Sequence, residues 1–115
     1  MTIRHLGTNY AVAPQIMPAE VERLGEQGFA TIVSNRLDGE DTSQPSFDMI
    51  EAEARKYGLH ALHLPVTPGK ITQADLDAFA VLYASATKPV LGYCRTGMRA
   101  EALWEGTRRL GGVFR

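Results

Sequence analysis

Val90-Leu91-Gly92-Tyr93-Cys94-Arg95-Thr96-Gly97-Met98-Arg99-Ala100 is the stretch whose reading decides how this chain folds. An apolar run ends in the chain's one cysteine, passes through a short loop with Gly97 and two arginines, and enters a helix-forming segment. Strand, tight loop and helix in that order aim the N–H groups of the helix start back at the sulfur. Open α/β sheets bind their ligands at this same place, outside the carboxyl ends of the strands.

Working outward, residues 89–94 are apolar on both faces, as a central parallel strand tends to be. Residues 29–34 are β-branched and apolar between Gly28 and Asn35, which predicts a second strand. Residues 59–65 alternate, with His60, Leu62 and Leu64 on one side and Ala61 and His63 on the other. Tyr10 to Ala13 reads as a short edge strand. Helical patterns fill the gaps. Residues 18–27 begin with a proline and stop at Gly28. Ser46 caps a helix with Phe47, Ile50, Ala54 and Tyr57 on one face, ended by Gly58. Thr72 and Asp75 fit a capping box ahead of the stripe Leu76, Phe79, Ala80 and Tyr83. The last helix runs from Met98 to Leu110, burying Ala102, Leu103, Gly106 and Leu110 and halting at Gly111-Gly112. The expectation is one three-layer α/β domain over residues 1–115, a mostly parallel sheet of four to five strands flanked by helices. The loops at 35–44, 66–71 and 94–97 should then meet at one sheet edge.

Charge is balanced, with 12 Lys and Arg against 13 Asp and Glu, so no nucleic-acid or anionic-membrane footprint is expected. No apolar run approaches the length of a membrane span, and residues 1–9 lack the apolar core of a secretory signal. A lone cysteine fits a reducing, cytoplasmic setting. His5, His60 and His63 are scattered without ligand spacing, so neither a metal nor any other cofactor is expected.

A cysteine at a helix start beside arginines is favoured as thiolate, the form that acts as nucleophile. Cys94 is therefore the candidate nucleophile and Arg99 the candidate bidentate grip on an oxyanion. Arg95, Thr96, Gly97 and Met98 form the candidate anion-binding loop; Gly97 removes a Cβ that would crowd the anion. Asp38, Arg36 and Glu40, following the 29–34 strand, are candidates for a proton donor or a substrate contact. Asp-Gly is also ordinary turn chemistry. Tyr83, Trp104 and His63 read as packing residues.

With Tyr93 before it, Cys94-Arg95-Thr96-Gly97-Met98-Arg99 resembles the active-site loop of the DUF442 family, the phosphatase-like domain of beta-lactamase-hydrolase-like proteins. Residues 28–40 resemble its strand and Asn-Arg-Pro-Asp-Gly-Glu signature, with Leu37 in place of the proline. Gln44-Pro45-Ser46, Gly58-Leu59, Leu64-Pro65-Val66 and Leu103-Trp104 extend the likeness over roughly residues 3–110. The resemblance implies a fold similar to dual-specificity phosphatases, whose loop is Cys-x5-Arg. Here four residues separate Cys94 from Arg99, a spacing that resembles single-domain rhodaneses. Some family members are fused to persulfide-dioxygenase-like metallohydrolases, which implies sulfane-sulfur chemistry and a partner of that type.

The loop at 65–71 has no carboxylate where a tyrosine phosphatase keeps its general acid, a group worth about 10²–10⁴-fold. Asp75 and Asp77 follow, but capping and an exposed helix face account for them. Sulfur transfer needs no such acid, because low-pKa thiolate or sulfite leaves unaided. The sequence therefore favours a sulfurtransferase that moves sulfane sulfur through a Cys94 persulfide, taking a small sulfur anion or persulfide and passing its sulfur to a thiol. The alternatives are a phosphatase acting on a phosphoester through phosphocysteine, and a non-catalytic persulfide carrier or sensor.

Overall fold

In a computed structural model, which describes residues 1–109, five strands and four helices follow one another along the chain. Strands β1 (Arg4–Gly7), β2 (Tyr10–Ala13), β3 (Thr31–Ser34), β4 (His60–His63) and β5 (Val90–Tyr93) form one sheet in the order β1-β2-β5-β3-β4. The β2, β5, β3 and β4 strands are parallel, and β1 closes the edge antiparallel to β2. Helices α1 (Val21–Glu26), α2 (Phe47–Lys56), α3 (Gln73–Ser85) and α4 (Met98–Arg109) cover the two faces. A short 3-10 turn, Pro18–Glu20, leads into α1.

β5 lies between β2 and β3, with all four of its residues buried, as its two-sided apolar pattern predicts. Ala11, Ile32, Leu91 and Tyr93 point to the α1–α2 side; Tyr10, Val12, Val33 and Val90 point to the α3–α4 side. On β4, Ala61 packs on the first side and Leu62 on the second, the predicted alternation. Helix starts follow their caps. The Ser46 hydroxyl accepts from Met49 N–H at 3.3 Å, and Thr72 and Asp75 exchange the two bonds of a capping box.

Four expectations change. Tyr10–Ala13, expected as an edge strand, lies inside the sheet between β1 and β5 and is buried throughout. Strand β1 is absent from the sequence pattern, because Arg-His-Leu-Gly carries no β signature and pairing to β2 across the Thr8-Asn9 turn imposes its shape. Ala102 is exposed, and α4 instead buries Arg99, Ala100, Leu103, Trp104 and Thr107. Tyr57 lies after α2 and is 44% exposed rather than on its buried face. Leu110 and Gly111-Gly112 lie outside the described residues.

The seat of α4 on the sheet is aromatic. Trp104 stacks on Tyr10 with ring centres 4.6 Å apart, and Phe79 and Tyr83 meet Tyr10 edge-on. The Tyr10 hydroxyl donates to the Ala100 carbonyl at 3.2 Å and occupies the space beside Gly92. A Cβ at Gly92 would collide with that hydroxyl and stand 3.2 Å from Ala100 Cβ. Gly92→Ala should therefore lower stability by about 1–3 kcal/mol through overpacking, read as a lower urea midpoint. An unchanged midpoint would show that α4 shifts freely on the sheet.

Candidate functional site

Cys94 is the residue after β5, so the sheet delivers its sulfur to the carboxyl edge, where it is buried. The chain then turns back within three residues. Gly97 makes this turn with φ +93° and donates its N–H to Cys94 Sγ at 3.1 Å. Any other residue would be strained at that φ, and its Cβ would stand 3.3 Å from the Ala13 carbonyl oxygen. The Thr96 hydroxyl accepts from Met98 N–H at 3.3 Å, and the Gly97 carbonyl accepts the first α4 bond, from Glu101. Among the described residues no protein acceptor meets the N–H groups of Arg95 and Thr96. The Cys94 sulfur therefore sits in a curl of backbone donors at a helix start, an arrangement suited to an anion.

The three predicted loops do converge, and Arg99 is where they meet. Its guanidinium, on the first turn of α4, forms a double bond pair with Glu40: Nη1 to Oε2 at 2.7 Å and Nη2 to Oε1 at 2.9 Å. Nη1 also donates to the Val66 carbonyl at 3.0 Å. Glu40 receives two further bonds, from Arg36 Nε at 3.1 Å and from the Leu37 N–H at 3.1 Å. The last needs a residue with an N–H, which a proline at position 37 would lack. Arg36 is held in turn by Gln15 Oε1 at 2.9 Å. Two guanidiniums share one carboxylate, so the cluster keeps a net positive charge beside the thiol.

Although the Glu40 backbone reaches solvent, its side chain is only 18% exposed. The Arg99 bonds, helped by Arg36 and the Leu37 N–H, hold its pKa down to about 2. Arg99 is shifted upward, chiefly by Glu40, with Cys94 adding in the same sense. Glu40, a candidate proton donor on sequence grounds, is thus a fixed carboxylate. The sequence could not reveal this, because of its three partners only Arg36 is a nearby side chain, while Arg99 lies far along the chain and the Leu37 donor is a backbone N–H.

The other candidates have distinct placements. Asp38 Oδ1 accepts from the Phe47 N–H at 2.8 Å, tying the loop to the start of α2. Asp38 also lines a cleft of about 480 Å³ with Arg36, Leu37, Gly39, Glu40, Pro68 and Arg95. Arg95 is exposed on the cleft wall, and Met98 is 70% exposed at the start of α4. Asp75 and Asp77 are engaged within α3, by Thr72 and Gln73. His63 Nε2 bonds the Arg36 carbonyl at 2.8 Å and its ring stacks on Phe47 at 4.6 Å, which makes it a support for the 35–44 loop. Asn35 is a contributor that sequence reasoning passed over. Its N–H donates to the Tyr93 carbonyl, its Nδ2 to Leu64 O, and its carbonyl accepts from Val66, so it binds the ends of β3, β4 and β5. Among the described residues no three His, Cys, Asp or Glu side chains converge as a metal site would require, and no helix is long and apolar enough to cross a membrane.

A five-stranded, mostly parallel α/β sheet presenting a cysteine loop at its carboxyl edge is similar in fold to solved phosphatase structures. Residues 2–110 match the family described as "Beta-lactamase hydrolase-like protein, phosphatase-like domain", and the chain belongs to that family. It is 34% identical over 104 residues to a beta-lactamase hydrolase-like protein of Xylella fastidiosa, covering 90% of this chain and 24% of that protein. The chain thus spans about a quarter of the length of the curated relatives it matches. Among solved structures it is similar to a candidate phosphatase from Neisseria meningitidis, with 39% identity, a TM-score of 0.87, and coverage of 95% of this chain and 77% of that one. A candidate phosphatase of the DUF442 group from Shewanella putrefaciens shares the fold at 15% identity and a TM-score of 0.79, covering 92% and 66%. These findings give the sulfurtransferase expectation no support and favour the phosphatase alternative.

The Glu40 cluster carries a pH signature. In an unfolded chain a glutamate titrates near ~4.3, whereas here Glu40 titrates at about 2. A lowered folded-state pKa stabilises the fold fully above the unfolded value, and that stabilisation is lost as pH falls toward the folded one. Between about pH 5 and 2 the urea midpoint of the wild type should therefore drop more steeply than that of Glu40→Gln. Parallel profiles would mean that the carboxylate is not held as described.

Proposed function

We propose that this domain is a cysteine-dependent phosphatase acting on a phosphoester, with Cys94 as nucleophile and Arg99 as the oxyanion clamp. The supporting observation is the buried thiol at the sheet edge, bonded by Gly97 N–H and flanked by the net-positive Arg36–Glu40–Arg99 cluster. A phosphoryl group over the sulfur would place its oxygens among the Arg95 and Thr96 N–H groups and Arg99. In-line attack by the thiolate forms the S–P bond as the ester P–O bond breaks. Water then attacks phosphorus, inorganic phosphate departs, and the thiolate is regenerated.

The leaving alkoxide needs a proton. Glu40 is ionised down to about pH 2 and cannot supply one. Asp38, on the cleft wall with Arg95, is the carboxyl group left for that role, through Oδ2 while Oδ1 stays on Phe47 N–H. The first step is therefore fastest for esters of acidic alcohols, which leave with little help.

Sulfur transfer stands as a second reading on a specific observation. The loop is Cys-x4-Arg, and the one carboxylate lining the cleft without an arginine partner is committed on one oxygen to capping α2. In that reaction the Cys94 thiolate takes a sulfane sulfur from thiosulfate or a persulfide and releases sulfite or a thiolate. The resulting Cys94 persulfide then yields the sulfur to a thiol or to cyanide.

Steady-state assays separate the two. The wild type should hydrolyse p-nitrophenyl phosphate and form no thiocyanate from thiosulfate and cyanide, and Cys94→Ser should be inactive. Asp38→Asn should reduce hydrolysis of phenyl phosphate by about 10²-fold or more and that of p-nitrophenyl phosphate much less. Rapid thiocyanate formation without phosphate release would replace this assignment with the sulfur-transfer reading.

A further inference from the structure

Arginine has five N–H donors, and where they go in Arg99 fixes what it can bind. Both Nη1 hydrogens are engaged, one by Glu40 Oε2 and one by the Val66 carbonyl. One Nη2 hydrogen is engaged by Glu40 Oε1. Glu40 therefore takes the end of the guanidinium, and the Val66 carbonyl takes the outer Nη1 hydrogen. What remains is Nε–H and the second Nη2–H, two parallel donors along one edge of a planar group. That pair is itself a fork matched to two oxygens of a tetrahedral anion. Cys94 acts on this same guanidinium by charge and through a side-chain hydrogen bond, and with the other three hydrogens held by Glu40 and Val66 the Nε–Nη2 edge is the one left to meet it.

Resting on the reading of the Cys94 loop as an oxyanion site, we infer that Glu40 is a positioning residue, selecting which edge of the Arg99 guanidinium faces the oxyanion. A guanidinium on a flexible stem would otherwise rotate among several ways of meeting an anion. Here it is pinned at its far end, and Glu40 is itself pinned by Arg36 Nε and Leu37 N–H. Arg36, its own side chain only 4% exposed, is in turn held by Gln15. The chain of contacts runs from the segment after β2, through the 35–44 loop, to the first turn of α4. Its end product is a fixed fork, and Glu40 need not touch the substrate to provide it.

Charge and position make opposite predictions for Glu40, which renders the inference testable. Removing a carboxylate makes the site more positive, and electrostatics alone then strengthens anion binding. Losing the pin lets the fork disperse and weakens it. Titration calorimetry of inorganic phosphate into the full chain at neutral pH compares wild type, Glu40→Gln and Glu40→Asp. The expected result is a Kd at least tenfold weaker for Glu40→Gln with stoichiometry unchanged, and an intermediate value for Glu40→Asp, which keeps the charge but is one methylene short. An equal or tighter Kd in Glu40→Gln overturns the inference, as does reduced stoichiometry at constant Kd, which marks a folding defect alone. Failure of the wild type to bind phosphate overturns it as well. Phosphate binding by the wild type without phosphoester turnover would count against the phosphatase reading and leave the positioning role standing.

Discussion

The double hydrogen bond between Arg99 and Glu40 is the interaction on which the site depends. It joins the first turn of α4 to the loop after β3, while the Val66 carbonyl adds the loop after β4. These three segments are far apart in sequence and touch only because β5, β3 and β4 are adjacent parallel strands with their carboxyl ends at one edge. The pair is largely shielded from water, which makes the charge-assisted bonds stronger than an exposed pair would be. With Arg36 as a second guanidinium, the carboxylate does not cancel the charge that an anion needs.

The cysteine loop has a different origin. Its shape comes from backbone geometry, through Gly97 at φ +93° against the Ala13 carbonyl, and from the aromatic seat that fixes α4. The Gly97 N–H holds the sulfur, and the side-chain cluster holds the arginine beside it. Leu37 is accommodated where the family signature has proline, since its N–H adds a bond to Glu40.

Much of this was legible in the sequence where the signal is local. Strands β2, β3 and β5 are marked by β-branched or apolar runs, β4 by alternation, and the Ser46 and Thr72 caps by their spacing. The position of Cys94 at the sheet edge followed from strand, loop and helix in order. What could not be read was pairing between distant segments. The Arg-His-Leu-Gly of β1 is a strand only because β2 is beside it. Glu40 looks like any loop carboxylate until Arg99 is placed on it, and Asp38 looks like a free acid until the start of α2 takes one oxygen. The short loop and the missing acid point toward sulfur. The family and the similar solved structures point toward phosphorus.

The central claim is that Cys94 attacks phosphorus from within this cradle, and the adduct it carries tests that most directly. Intact-mass measurement after acid quench of the wild type, mixed with an aryl phosphate in one sample and with thiosulfate in another, identifies the adduct. One phosphoryl group on Cys94 is expected from the aryl phosphate, and none in Cys94→Ser. A single added sulfur atom from thiosulfate, with no phosphoryl adduct, would contradict it.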